Sequence, residues 1–328
     1  MTEQSDKSSY LGNENLKSSG VNQEFTQEQV EEYIKCSQDP IYFIKNYIQI
    51  VNVDHGLIPF ELYDYQSNMI DQIHENRFVI AKMPRQSGKS TTVIAYLLHY
   101  ILFNPTVNVA ILANKLATAR ELLGRLKLAY EYLPKWLQQG IVEWNKGNIV
   151  LENGSKVLAS ATSSSAVRGG SFNMIFLDEF AYVPQNVADE FFSSVYPTIS
   201  SGKETKVLII STPKGLNQYY KMWVDAEEGR NSYIPIEVDW AEVPGRDERW
   251  KKETIRNTSE EQFKVEFECD FIGSANTLIS SNKLKSLAFV SPLHKYDSGL
   301  CVYEEPEKGR EYAMTVDVSR GVGQDYSA

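Results

Sequence analysis

Residues 78–92 read FVIAKMPRQSGKSTT. Four apolar residues run into a short polar loop, and Gly88-Lys89-Ser90 leads into the apolar VIAYLL. The order is strand, loop, helix. The loop's end fits the phosphate-binding pattern GxxxxGK[ST], with Met83 where its first glycine would stand. What a phosphate group needs is retained. Backbone N–H groups around Gly88 can point at an anion, and the helix N-terminus adds positive potential. Met83, Pro84, Arg85, Gln86, Ser87, Gly88, Lys89, Ser90 and Thr91 are the expected cradle. Lys89 would reach the β- and γ-phosphates of a bound nucleotide, and the Ser90 hydroxyl would ligate Mg²⁺.

Working outward, the same alternation continues. A helix is expected over about 89–102 and a second strand over VNVAILA (107–113). An amphipathic helix over 115–133 and a hairpin over 148–160, turned at Asn153-Gly154, come next. NMIFLDEF (173–180) and KVLIIST (206–212) are further buried strands. Apolar strands alternating with helices predict an α/β fold: a mostly parallel sheet flanked by helices, of the P-loop NTPase, RecA-like type. Lys115, Arg120, Arg125 and Lys127 on the 115–133 helix read as a solvated face.

A site for phosphate chemistry needs an acid at the end of a buried strand. Asp178 is placed to hold Mg²⁺, and Glu179 beside it to polarise an attacking water. Ser211 and Thr212 end the next strand, where a polar group can sit beside the γ-phosphate and report its loss. Arg85, inside the loop, can stabilise charge developing on that phosphate.

The rest of the chain bounds this reading. It has 328 residues, 42% hydrophobic and 23% charged, with net charge −10. That acidity gives no support for tight non-specific nucleic-acid binding by the whole chain, though it leaves room for a local basic face. No apolar run reaches the ~18 residues of a membrane span, and the polar N-terminus is not a secretory signal. Cys36, Cys269 and Cys301 are too few and too scattered for a disulfide framework. His55, His74, His99 and His294 share no metal-ligand spacing and read as structural or surface residues.

Residues 1–25 are expected to be a disordered arm. An ATPase-type domain is expected over 26–272, its core at about 60–215 and a helical subdomain drawn from 26–58 and 217–270. Within it, helices are expected at 26–48, capped by Thr26, and at 63–75, and one strand near YIPIEV. A hinge over 273–310 contains SANTLISSNKLKS, and 311–328 begins a second domain that this chain does not complete.

MPRQSGKSTT, then VRGGSFNMIFLDEFAYVP, then STPKGLNQYY resembles the large terminase subunit of tailed bacteriophages, across most of residues 40–328. The resemblance implies an ATP-driven motor that translocates double-stranded DNA into a procapsid. ATP and Mg²⁺ are its implied cofactors. Its implied partners are DNA, a portal protein, a small terminase subunit and further copies in a ring, at the procapsid portal in the host cytoplasm. Tyr65 and Gln66 of DYQ resemble the family's adenine-recognition motif, and Arg85 its cis arginine finger. Met83 in place of glycine is a family trait, and Ser211-Thr212 matches the coupling motif. VRGG, with Arg168, matches a motif to which no role is assigned. TVDVSRG resembles the first strand of the family's RNase H-like nuclease domain. Asp317 would be its first metal-ligating carboxylate and Asp325 an accessory acid. The other ligands would lie beyond residue 328, so no nuclease activity is expected of this chain alone.

Two other readings use the same residues. A helicase-like DNA translocase would need a second RecA-like domain, and no strand–helix series long enough follows residue 213. A non-hydrolysing nucleotide switch would not need Glu179.

Overall fold

The first regular element is not the expected helix. In the computed structural model, which describes residues 8–163, 166–167, 170–271, 292–296 and 300–314, Ser9–Tyr10 (β1) pairs antiparallel with Asn13–Lys17 (β2). The expected disordered arm is therefore ordered from residue 8. Leu16 is buried, the Lys17 N–H donates to Gln138 Oε1 (2.9 Å), and the Gly20 N–H donates to Glu152 Oε1 (2.8 Å). Ser18 bridges Ile141 in parallel. The contact is close enough to demand Gly140, where a Cβ would lie 2.7 Å from the Ser19 Cα. One apolar anchor and a set of backbone bonds hold a segment whose polar composition predicts disorder.

From Thr26 the expected helices follow. The Thr26 hydroxyl accepts from the Gln29 N–H while the Gln29 side chain accepts from the Thr26 N–H, a capping box opening α1 (Gln27–Gln38). Pro40 opens α2 (Pro40–Tyr47) where its missing N–H is no loss. A hairpin of β3 (Gln49–Asn52) and β4 (Gly56–Pro59) leads to α3 (Asp64–Glu75). Next come β5 (Phe78–Lys82), α4 (Lys89–Phe103), β6 (Asn108–Ala113) and α5 (Leu116–Glu131). The antiparallel run of β7 (Ile141–Trp144), β8 (Asn148–Leu151) and β9 (Lys156–Ala161) follows. Then come β10 (Met174–Asp178), α6 (Gln185–Ser201), β11 (Lys206–Ser211), α7 (Gln218–Glu227), β12 (Ile234–Glu237), α8 (Glu248–Asn257) and α9 (Glu260–Glu266).

Eight strands form one sheet in the order β12-β5-β11-β10-β6-β9-β8-β7. From β12 to β9 every pairing is parallel. Both faces are apolar at period two. Val79, Ala81, Val109, Ile111, Met174, Phe176, Leu208 and Ile210 face one core, together with α3, α4 and α5. Ile80, Ala110, Leu112, Ile175, Leu177, Val207 and Ile209 face the other, with Phe191 of α6 and Trp223 of α7. A parallel sheet buried on both sides is what near-continuous apolar strands require.

Residues 217–270 do not stand apart as the expected subdomain. β12 joins the main sheet beside β5, and Tyr219, Met222 and Trp223 of α7 are buried in the second core. On the other side, Phe43 and Ile44 of α2 belong to the first core. Trp240, Trp250, Phe263 and Phe267 form a separate aromatic cluster around α8 and α9.

The chain divides into two units, Met1–Thr277 and Leu278–Ala328. In the second, His294–Lys295 (β13) pairs antiparallel with Cys301–Val302 (β14). Arg168, Asp317 and Asp325, most of the 273–310 hinge and the strand expected after residue 314 lie outside the described residues. Among the described residues no helix is long and apolar enough to cross a membrane.

Candidate functional site

Strand order places the site. β11 lies between β5 and β10, and the register aligns Lys82 with Ser211 and Ile210 with Asp178. The carboxyl ends of three strands thus carry the loop, the hydroxyl pair and the acids side by side, the usual place for a ligand in an open parallel sheet.

The loop itself explains its departure from the glycine pattern. Met83 is fully buried in the first core, so its side chain serves as an anchor where a glycine would leave a gap. Two residues then take left-handed backbone, Gln86 at φ 57° and Gly88 at φ 75°. At Gly88 the positive φ calls for glycine, and a Cβ would come within 2.5 Å of the Gln66 amide nitrogen, whose side chain would have to shift.

Lys89 and Ser90 start α4 and reach the acids directly. The Lys89 ammonium, 6% exposed, pairs with Glu179 Oε1 at 2.9 Å. The Ser90 hydroxyl donates to Asp178 Oδ1 at 2.6 Å. Burial pushes the Asp178 carboxyl up to about 6, against the Ser90 hydroxyl, which favours the ionised form; the neighbouring Glu179 adds to the rise and Lys89 opposes it. Glu179 sits in left-handed backbone, φ 49° and ψ 47°. Such strain is sustained only where surrounding bonds over-determine it. Here its Oε2 accepts from the Thr212 N–H (3.1 Å) and the Thr212 hydroxyl (3.2 Å). The Ser211 hydroxyl lies 3.3 Å from the same oxygen, and makes its shorter contact, 2.7 Å, with the Thr212 carbonyl. Tyr182, not anticipated from the sequence, touches the Thr212 hydroxyl at 3.3 Å. Ser90 with Asp178, and Lys89 with Glu179, Ser211 and Thr212, therefore form two side-chain sets joined through the adjacent residues of the loop end and of the strand end.

Three expected site residues make contacts that the sequence did not suggest. Arg85 is not aimed at the Lys89–Glu179 pair: its guanidinium, 62% exposed, pairs with Glu266 at 3.0 Å, and its N–H donates to the Glu266 carbonyl at 2.8 Å. Tyr65 and Gln66, expected to contact the base, are buried against the loop. Both donate to the Ser87 carbonyl, at 2.8 and 3.2 Å, and Gln66 Oε1 accepts from the Tyr63 N–H. Sequence reading also missed Arg246 and Glu266, which grip the loop from outside. Neither stands in a motif, and only the Trp- and Arg-rich composition around them hinted at a packed cluster.

The donor set suits Mg²⁺. A hydroxyl and a carboxylate offer only oxygen, as a hard cation prefers, and Mg²⁺ keeps water and phosphate as its other ligands. Among the described residues no group of three or more His, Cys, Asp or Glu could hold a metal without such help. Elsewhere, burial holds His99 down to about 4, its Nε2 lying 2.8 Å from the Cys36 carbonyl, which fits a structural role. On α5 the expected solvated face is partly tied down. Arg125 pairs with Glu121, and the Lys127 ammonium lies 4.8 Å over the Trp144 ring.

Comparison with known proteins agrees with this geometry. Residues 80–286 match the family model described as terminase large subunit, T4likevirus-type, N-terminal. The large terminase subunit of Thermus phage G20c is 25% identical over 303 residues, covering 82% of this chain and 60% of that protein. This chain thus spans about 60% of the length of that curated relative. Among solved structures, the large terminase ATPase domain of Thermus phage P74-26 is similar at a TM-score of 0.53 and 21% identity, covering 65% of this chain and 94% of that one. The large terminase of thermophilic bacteriophage D6E in complex with ADP is similar at a TM-score of 0.52 and 12% identity, covering 64% and 54%.

Proposed function

The chain belongs to the terminase large-subunit family, and on that premise we propose that it is the ATP-hydrolysing part of a motor that drives double-stranded DNA into a procapsid. One observation carries the reading: Lys89 and Ser90, from the phosphate loop, meet Glu179 and Asp178, from the acidic strand, in two adjacent contacts. The similar D6E terminase is known in complex with ADP, which supports a nucleotide in the same place.

In this mechanism the nucleotide phosphates lie on the loop N–H groups and on Lys89. Asp178 and Ser90 would hold Mg²⁺, which neutralises phosphate charge when bound. Lys89 answers to two anions, Glu179 and the γ-phosphate. As the phosphate takes Lys89, Glu179 is freed to orient and polarise the attacking water. Its second oxygen stays on Thr212, so the change at the acid is felt by the segment after β11. Arg85 would act as a cis finger after exchanging Glu266 for the phosphate. Further copies in a ring, the portal, a small terminase subunit and a C-terminal nuclease complete the proposed machine, working in the host cytoplasm.

The test is ATP turnover and ATP binding by the purified chain, with and without double-stranded DNA, beside Lys89→Ala. Turnover falling by about 10²–10³ in the variant is expected, the size of effect seen when one preorganised charge-stabilising donor is lost. Equal turnover in both proteins would sink the assignment. Stimulation by DNA would place a DNA contact within these residues.

A further inference from the structure

We propose that Arg246 is a positioning residue for the phosphate loop, a clamp on the loop's carbonyl side supplied from far along the chain. The inference rests on the nucleotide-binding reading above and deepens it.

The loop can cradle an anion only if its N–H groups face inward and its carbonyls are turned away. Each carbonyl from Pro84 to Gly88 accepts a bond. Pro84 O takes the Ser87 hydroxyl at 2.9 Å. Ser87 O takes Tyr65 and Gln66. Gly88 O takes the Thr92 N–H at 2.9 Å and its hydroxyl at 3.1 Å. The middle two, Arg85 O and Gln86 O, are both held by Arg246 Nη2, at 2.8 and 3.1 Å. Among the described residues none of the N–H groups of Gln86, Ser87, Gly88, Lys89 or Ser90 donates to a protein acceptor. Gln86, whose carbonyl Arg246 holds, is the non-glycine residue in left-handed backbone within the loop. The clamp acts where the backbone is least able to hold itself.

The guanidinium is fixed by more than these bonds. It lies 4.8 Å over the Trp250 ring and 5.4 Å from that of Phe267. Stacking fixes the guanidinium plane, so the two N–H groups of Nη2 are aimed at the adjacent carbonyls, a direction that the rotatable, unstacked ammonium of a lysine would not hold. Arg246 Nη1 is the one buried side-chain polar atom without a hydrogen-bond partner among the described residues. Leaving a donor unsatisfied costs stability. An arginine kept here at that cost fits a task in the loop better than a task in packing.

The experiment compares wild type, Arg246→Gln, Arg246→Lys and Lys89→Ala as full chains. It measures the Kd of a fluorescent ATP analogue with Mg²⁺, KM and kcat for ATP, and the thermal midpoint without nucleotide. Expected for Arg246→Gln is a Kd and KM raised about 10–100-fold, the effect usual when a supporting partner of a binding group is removed. Its kcat at saturation and its nucleotide-free midpoint should stay near wild type. Arg246→Lys, which keeps the charge and the stem, should fold as wild type and recover only part of the affinity. Wild-type affinity in either folded variant overturns the proposal, and so does a loss of midpoint with Kd and KM unmoved. Binding lost in Lys89→Ala while Arg246→Gln binds normally would reject the clamp and leave the nucleotide site standing. No binding by wild type would reject both.

Discussion

The two faces of the phosphate loop are built on different plans. Inward-facing groups come from short, dense stretches: Lys89 and Ser90 from the loop's own end, Asp178 and Glu179 from one strand end, Ser211 and Thr212 from the next. Outward-facing groups come from three distant places: Tyr65 and Gln66 on α3, Arg246 before α8, and Glu266 on α9. Chemistry is thus concentrated in short motifs, while the conformation that makes the chemistry available is held by residues scattered along the chain, of which Arg246 and Glu266 stand in no motif. The inner face should decide rate, and the outer face should decide affinity and the resting state of Arg85.

Breaking the inner face should have the largest effect. Glu179→Gln keeps the size of the side chain and removes its basicity, so turnover should fall by about 10²–10⁴. Nucleotide binding should hold or improve, because Lys89 loses its competing anion. Single-turnover hydrolysis beside equilibrium binding checks both halves, and a variant that hydrolyses normally would move the general base elsewhere.

On the outer face the expected change is smaller and of opposite sign. Glu266→Gln removes the charge that holds the Arg85 guanidinium and leaves the backbone bond from Arg85 N to Glu266 O in place. An exposed pair of this kind is worth about 0–1 kcal/mol, so turnover should rise by no more than about fivefold. A fall in kcat would mean that Glu266 is not restraining a finger.

Substitution at His99 touches neither face and separates stability from function. Its folded pKa of about 4 lies below the ordinary ~6.5, so the neutral ring is favoured by folding. Its contribution is fully present above about pH 6.5 and is lost as pH falls through that value toward 4, amounting to about 3 kcal/mol in all. Asp178, held high, acts in the opposite direction over part of the same range. The difference between wild type and His99→Gln in urea midpoints at pH 7.5 and 4.5 isolates the histidine. The wild type should lose more stability on acidification, and equal losses would refute the assignment. ATP affinity at pH 7.5 should be the same in both.

The same contrast separates what could be read from the sequence. The central strands were legible because burial on both faces writes itself as apolar runs, as in Met174–Asp178 and Lys206–Ser211. Thr26 and Asn153-Gly154 were legible because caps and tight turns use few residue types. The meeting of Lys89 and Ser90 with Glu179 and Asp178 was legible for a similar reason: a GK[ST] loop and an acid at a strand end use few residue types. The hairpin at Ser9–Lys17, the grip of Arg246 and the pairing of Arg85 with Glu266 were not. Each depends on polar groups brought together across many residues, and such bonds leave no period in the chain. The contact of Tyr65 and Gln66 with the Ser87 carbonyl was not legible either, since a motif names a residue without saying which atom it touches.

The hairpin at the start of the chain also sets an order of events during synthesis. Its partners, Gln138, Ile141 and Glu152, are made more than a hundred residues later than Lys17, Ser18 and Gly20. At roughly 5–20 residues per second that is a wait on the order of ten seconds. The delay works in the protein's favour. β7 is the terminal strand of the sheet, and an unpaired edge invites other chains. Because Ser18 has already left the ribosome when Ile141 emerges, the segment that bridges the first residue of this edge is made before the edge exists.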